Sequence, residues 1–313
     1  MTDVLRCDLL PHAMNKAKEQ AVLDLLRAWR SGAVALGREQ WRLFFETGRT
    51  NKNQDKQRFV RIIGAANRVQ MCRWQVVGVL KSWLGNRANE FADRVRCSSL
   101  PETIKHQLHV VNRCEAWFDR RNLVMRGTGE VIPDEVRALA RSIMRHVMAR
   151  HRRPDLSRIP MQIDQRAATL APAAKASAFP LWLRLSTMVK GQRIEVPLTT
   201  YPHFERRQGV RALTIQVGRC RDSGTLRFGV VTDITAACAA SRAAYQPLRP
   251  QVALDFGLAT LFASDEGDLL GRGWLVALKR HDRLITGIAR HVQRSGGKPK
   301  DSRRYRAATA CLA

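Results

Sequence analysis

The chain has 313 residues, with 54 Lys and Arg against 27 Asp and Glu, for a net charge of +27. Its 45% hydrophobic content excludes a chain disordered by composition, and no apolar run reaches the roughly 18 residues that suggest a membrane-spanning helix. The seven cysteines are scattered with no Cys-x-x-Cys pair, which points away from disulfides or a zinc ribbon and towards reduced thiols in a cytoplasm.

So large a cationic excess repels itself, and the expected partner is a polyanion. The alternative is a supercharged but otherwise ordinary soluble surface. The length allows two or three domains. Residues 1–10 predict a short strand on Val4, Leu5, Leu9 and Leu10, ended by Pro11. A helix is expected from near Asn15, with Ala21, Val22, Leu25, Leu26 and Trp29 on one face, and helical period returns from Val34 to Phe45. Thr47-Gly48-Arg49-Thr50-Asn51-Lys52-Asn53 is a polar break. From Lys56 to Trp83, Phe59, Ile62, Ile63, Ala66, Val69, Val76, Val77 and Leu80 again fit a helix, with Arg58, Arg61, Arg68 and Arg73 among them. Trp74 and Trp83 read either as core contacts or as a stacking platform for a base, and the sequence does not separate the two.

Ser99-Leu100-Pro101-Glu102 predicts a helix start with Ser99 as its cap, running through Leu108, Val111, Cys114 and Phe118 to about Asn122. Gly127 and Gly129 mark a loop. Pro133-Asp134-Glu135 starts the next helix, with acids at its positive end. Its apolar stripe is Val136, Leu139, Ala140, Ile143, Met144 and Val147. Arg137, Arg141 and Arg145 recur every four residues on another face, and Arg150, Arg152 and Arg153 follow. That spacing aligns guanidinium groups as a phosphate track requires; the alternative is a solvated face.

Pro154, Pro160 and Pro172 punctuate a change to period two. Leu181, Leu183 and Leu185 alternate with Trp182, Arg184 and Ser186. After the turn Lys190-Gly191, Ile194, Val196 and Leu198 alternate with Arg193, Glu195 and Pro197. A second hairpin pairs Leu213, Ile215 and Val217 with Leu226, Phe228 and Val230 across the turn Asp222-Ser223-Gly224. The two hairpins predict a sandwich or barrel. Residues 236–250 read as a small-residue linker ending in Pro247 and Pro250. Beyond Trp274, Leu275 to Val292 is amphipathic, and the tail is very basic from Lys279 to Arg306, interrupted by Ser295-Gly296-Gly297-Lys298-Pro299-Lys300.

Between linker and tail lies Val252-Ala253-Leu254-Asp255-Phe256-Gly257-Leu258-Ala259-Thr260-Leu261-Phe262-Ala263-Ser264. Asp265-Glu266-Gly267-Asp268 is a turn and Leu269-Leu270 begins a returning strand. The pattern predicts a buried hairpin around a single carboxylate. Burial makes that group costly to ionise unless it is paired or binds a cation. The eight His form no metal-binding spacing, and no phosphate-binding Gly-rich loop or Gly-x-Ser-x-Gly elbow is found.

Leu254-Asp255-Phe256-Gly257-Leu258 with Thr260-Leu261 resembles the first nuclease motif of RuvC-type, RNase H-like domains. The form is similar to that of transposon-encoded RNA-guided nucleases (the TnpB family) and the related type V CRISPR nucleases. The resemblance implies an α+β multidomain fold: a first strand at 1–10, a helical recognition lobe at 11–158, a wedge-like antiparallel β-barrel at 159–248, and the start of a RuvC-type α/β domain at 249–313. It implies Asp255 as catalytic residue and magnesium ligand, with guide RNA and target double-stranded DNA as partners and no membrane. Arg184 on the barrel and Lys279, Arg280 and Arg283 in the tail join Arg137, Arg141, Arg145, Arg150, Arg152 and Arg153 as nucleic-acid contacts. Tyr201-Pro202-His203-Phe204-Glu205 is similar to a short motif of those relatives.

Hydrolysis at such a site uses two cations about 3.5–4 Å apart, held by several carboxylates. The family supplies a further Glu and Asp, and usually a zinc ribbon, from downstream segments that have no counterpart here. The expectation is therefore a truncated reading frame, a fragment or a degenerate copy, in a cytoplasmic, nucleoid-associated setting, unable to cut DNA alone. The alternatives are a nuclease-inactive guide-directed repressor or degenerate transposon product, and an unrelated basic protein in which backbone amides hold Asp255 at a strand end.

Overall fold

The computed structural model describes residues 3–310 apart from 52, 54–56, 126, 175–177, 221–222, 247–250 and 258. Lys52, Lys56, Asp222, Pro247, Pro250, Leu258 and Cys311 therefore lie outside the described residues. The chain divides into two compact units, Met1–Arg242 and Ala243–Ala313.

The first unit opens with β1 (Leu5–Leu10) and α1 (Lys16–Thr47). Asn15 caps α1 by accepting from Lys18 N at 3.0 Å, and Gly48, at φ 74°, ends it. The two predicted helical stretches are one helix. Val22, Leu25, Leu26, Trp29, Ala33, Leu36, Trp41 and Phe44 repeat at three and four residues and are all buried. Gly32 and Gly37 do not break it, because they sit where other chain segments press closest. A Cβ on Gly32 would come within 2.3 Å of Ile63, and one on Gly37 within 2.2 Å of Leu156.

The helix expected from Lys56 to Trp83 is interrupted. Short α2 (Val60–Ile63) stops at Gly64, φ 89°, and α3 (Ala66–Arg96) restarts behind it. The break lets the Arg68 guanidinium turn inward to the Thr187 carbonyl. α4 (Glu102–Arg113) has Pro101, not Ser99, at its cap position, with no side-chain cap. It ends well before Asn122. Glu115 turns left-handed at φ 51°, and Trp117 and Phe118 drop into the core, with Trp117 Nε1 donating to Asn112 at 3.1 Å. Burial of two aromatics outweighs continuing the helix, each fully buried large side chain contributing about 1.5–3 kcal/mol. α5 (Asp134–Ala149) then packs against α3 and α4.

The β structure comprises β2 (Met161–Ile163), β3 (Ala168–Pro172), β4 (Leu181–Ser186), β5 (Arg193–Leu198), the single turn α6 (Pro202–Glu205), β6 (Val210–Arg219) and β7 (Leu226–Asp233). One antiparallel sheet runs β1-β7-β6-β2 and another β3-β4-β5. They meet along one seam, where Ala13 N donates to the Pro197 carbonyl and Thr199 N to that of Pro11, both at 3.1 Å. Among the described residues the ladders do not close, so the expected barrel is instead two open sheets. Register follows the sequence alternation, with Leu183 opposite Val196 and Val217 opposite Phe228. Leu213 departs from it. An irregularity between Arg211 and Ile215 pushes its side chain outward, leaving it 64% exposed. Buried Asp8 of β1 accepts from Tyr201 at 2.9 Å and Arg207 at 2.8 Å, pinning the Tyr201–Glu205 motif to the first strand.

The expected linker begins as a helix, α7 (Thr235–Ala244), because its alanines favour helix and Asp233 accepts from Thr235 N at 2.9 Å to start it. In the second unit β8 (Leu254–Phe256), β9 (Thr260–Ser264) and β10 (Leu269–Arg272) form an antiparallel meander in the order β10-β9-β8. The turn at residues 265–268 falls where predicted, with Gly267 at φ 86°. α8 (Trp274–Arg294) and α9 (Arg303–Thr309) follow. No described helix is long and apolar enough to cross a membrane.

The close approach at Gly32 is testable. Gly32→Val is expected to destabilise the protein by about 1–3 kcal/mol by overpacking against Ile63, read from the urea midpoint. Gly78→Ala on α3, where a Cβ meets nothing within 4 Å, is expected to be neutral or to add up to about 1 kcal/mol. Equal midpoints for the two variants would contradict the close packing at Gly32.

Candidate nucleic-acid interface

The C-terminal end of α5 gathers arginines over a bed of aromatic rings. Trp41 and Phe45, four residues apart on α1, stack at 5.8 Å with 20° between planes. Phe118 meets Phe44 and Phe45 edge-on at 5.3 and 5.1 Å, and Trp83 meets Trp41 at 5.5 Å. Trp83 Nε1 donates to the Arg152 carbonyl at 3.0 Å, which fixes the chain leaving α5. Trp83 is thus a packing residue. Trp74, by contrast, is 47% exposed. The structure separates what the sequence could not.

On this bed the Arg153 guanidinium lies 4.9 Å from the Trp41 ring and 5.4 Å from Phe45, and Arg145 lies 5.9 Å from Phe118. Such contacts favour the charged group without neutralising it. Arg145 and Arg153 line a cavity of about 350 Å³ with Phe45 and His151. Arg152 and Arg153 line a neighbouring one of about 410 Å³ with Arg158. Arg145, Arg150, Arg152 and Arg153 are exposed, and none has a carboxylate within salt-bridge distance among the described residues. Arg158 does, with Asp155 at 3.4 Å. Position at a helix C-terminus accounts for part of this clustering, since cations are favoured there.

The other expected contacts separate from this group. Arg137 does not belong to the track. It is buried, pairs with Asp134 at 2.9 Å and donates to the Asp119 carbonyl at 2.8 Å, tying the loop after α4 to α5. Four-residue spacing gave its face, but Asp134 three residues earlier and the loop above captured it. Arg141 is half-buried. Arg184 sits opposite Glu195 on β5, with Nε and Oε1 3.3 Å apart, a cross-strand pair. Lys279, Arg280 and Arg283 are all exposed on α8 in the second unit. Sequence reasoning missed the aromatic bed, though the Trp41–Phe45 spacing of four was visible.

Asp255 lies on β8, the edge of its sheet, opposite Ala263, and is exposed along with Leu254 and Phe256. The expected buried hairpin is thus corrected to an open-faced meander; the strand is short and its described neighbours leave both faces uncovered. Among the described residues no three of His, Cys, Asp and Glu gather as metal ligands. A lone exposed carboxylate does not fit a two-magnesium site. No protein family matches the chain, and no curated protein is significantly similar to it.

Beneath the arginines, Glu90 sits 2.5 Å from His151 and 3.5 Å from Arg94. Burial pushes its carboxyl up, but the His151 hydrogen bond and the charges of His151, Arg94 and Arg150 together hold it below its ordinary value. A depressed carboxyl gives stability that is present above its unfolded value and lost as pH falls through its folded one. Glu90→Gln is therefore expected to flatten the acid limb of melting temperature against pH, followed by circular dichroism between about pH 6 and 3. An unchanged acid limb would contradict the linkage.

Proposed function

We propose that this chain binds nucleic acid through the arginines at the end of α5, as a relative of RuvC-type RNA-guided nucleases that holds guide RNA and target DNA. The observation that carries the reading is the set Arg145, Arg150, Arg152 and Arg153, exposed together with no carboxylate within salt-bridge distance among the described residues, in a chain of net charge +27. Guanidinium forks match phosphate oxygens two at a time, and each such pairing releases counterions. Stacking on Trp41 and Phe45 holds Arg153 ready, so little is lost in ordering it.

The family part of the proposal is supported by Asp255 in the first strand of an antiparallel meander followed by a long amphipathic helix. The isolation of Asp255 favours a binding role without cleavage for these residues. With magnesium, copurified RNA and matching DNA, no guided cutting is expected.

Replacing Arg145, Arg150, Arg152 and Arg153 together by Ala is expected to weaken oligonucleotide binding and flatten its salt dependence. For duplex DNA, the slope of log K against log salt falls by about 0.9 for each phosphate that the protein no longer neutralises. An unchanged slope would overturn the assignment. For the family part, sequencing the copurifying RNA should give one guide-like species; random cellular RNA would contradict it.

A further inference from the structure

We propose that the cavity between α3 and the β2–β6 edge receives an unpaired nucleobase of a single-stranded nucleic acid. The inference rests on the nucleic-acid-binding reading above and adds to it a site for a base, distinct from the arginine cluster that would hold phosphates. The cavity measures about 730 Å³ and is lined by Trp74, Gly78 and Ser82 of α3, Gln162 and Asp164 at β2, and Thr214 of β6. Its size lies in the range of sites for small organic ligands.

The lining chemistry selects the occupant. Trp74 leaves 47% of its surface open to solvent, and among the described residues no ring or cation contact to its indole is found. Gly78, one turn along, has open space where a side chain would stand, so the floor beside the indole is flat. Ser82, Gln162 and Thr214 form no side-chain hydrogen bond with another described residue, which leaves donors and acceptors for the edge of a base. The charged group in the lining is a carboxylate, Asp164, tied to Arg166 at 2.9 Å. Among the described residues no guanidinium or ammonium lines the cavity, so its walls offer a neutral base partners that they do not offer a phosphate. Stacking on one aromatic face tolerates any base.

The cavity is also preformed. Gln75 beside Trp74 accepts from Trp29 Nε1 at 3.0 Å and donates to the Pro160 carbonyl at 2.8 Å. These bonds fix α3 against α1 and against the segment that leads into β2, so the walls need not move to admit a ring.

The test compares fluorescence anisotropy with a labelled single-stranded oligothymidylate and an abasic strand of the same length. Trp74→Ala is expected to weaken the base-bearing strand roughly 5- to 150-fold and to leave the abasic strand unchanged. Gly78→Leu, which fills the cavity while keeping the ring, should give the same selective loss, and Trp74→Phe should retain most of the affinity. Variants that bind both strands as the native protein does, or that lose both equally, would overturn the proposal. The four-arginine variant keeps the two readings apart. If it weakens the abasic strand while the Trp74 and Gly78 variants do nothing, the base site alone fails; if it leaves abasic binding intact, the phosphate reading fails.

Discussion

Fifty-four cationic side chains share 27 carboxylates in this chain, and the fold has to place every one of them. Some are taken inside. Arg68 is buried on the Thr187 carbonyl, Arg137 on that of Asp119, and Arg73 lies wholly within the core. Others pair across a strand or along a helix, as Arg184 with Glu195 and Arg27 with Asp24. A third group rests on aromatic rings, where the cation keeps its charge and gains attraction from the ring face. The third group does not reduce the repulsion. Where its members collect, at the end of α5, cations outnumber the nearby carboxylates Glu90 and Asp155 and a polyanion has most to gain.

The packing that creates this place is set far from it in sequence. α1 brings Trp41, Phe44 and Phe45; the loop after α4 brings Phe118; α3 brings Trp83 and Glu90. Gly32 and Gly37 let other segments close onto α1, and Gly64 turns the chain back so that α3 lies against it. The arginines are held by that framework and by the Trp83 bond to the Arg152 carbonyl, so their spacing is a property of the helical core.

Much of the fold was legible because periodicity is a local signal. The β4–β5 and β6–β7 hairpins, the helix start near Asn15, the start of α5 and the turn at Gly267 all follow from neighbouring residues. What was not legible depends on distant partners. Helix α4 stops because Trp117 and Phe118 find a core, and Leu213 turns outward because the register slips against β7. Arg137 left the phosphate face for a loop carbonyl 18 residues away. Asp255 shows the converse. Its apolar flanks read as burial, but a three-residue edge strand with exposed Leu254 and Phe256 gives its carboxylate neither a low-dielectric pocket nor a described cluster of further acids. A short motif specifies a strand more readily than it specifies the walls around it.

The most direct measurement of the central claim is ultraviolet cross-linking of the protein to a single-stranded oligonucleotide, with the attached peptides identified by mass spectrometry. The account predicts cross-links in the peptides that carry Phe45 and residues 145–158. Cross-links confined to residues 274–310, with none at the end of α5, would contradict it.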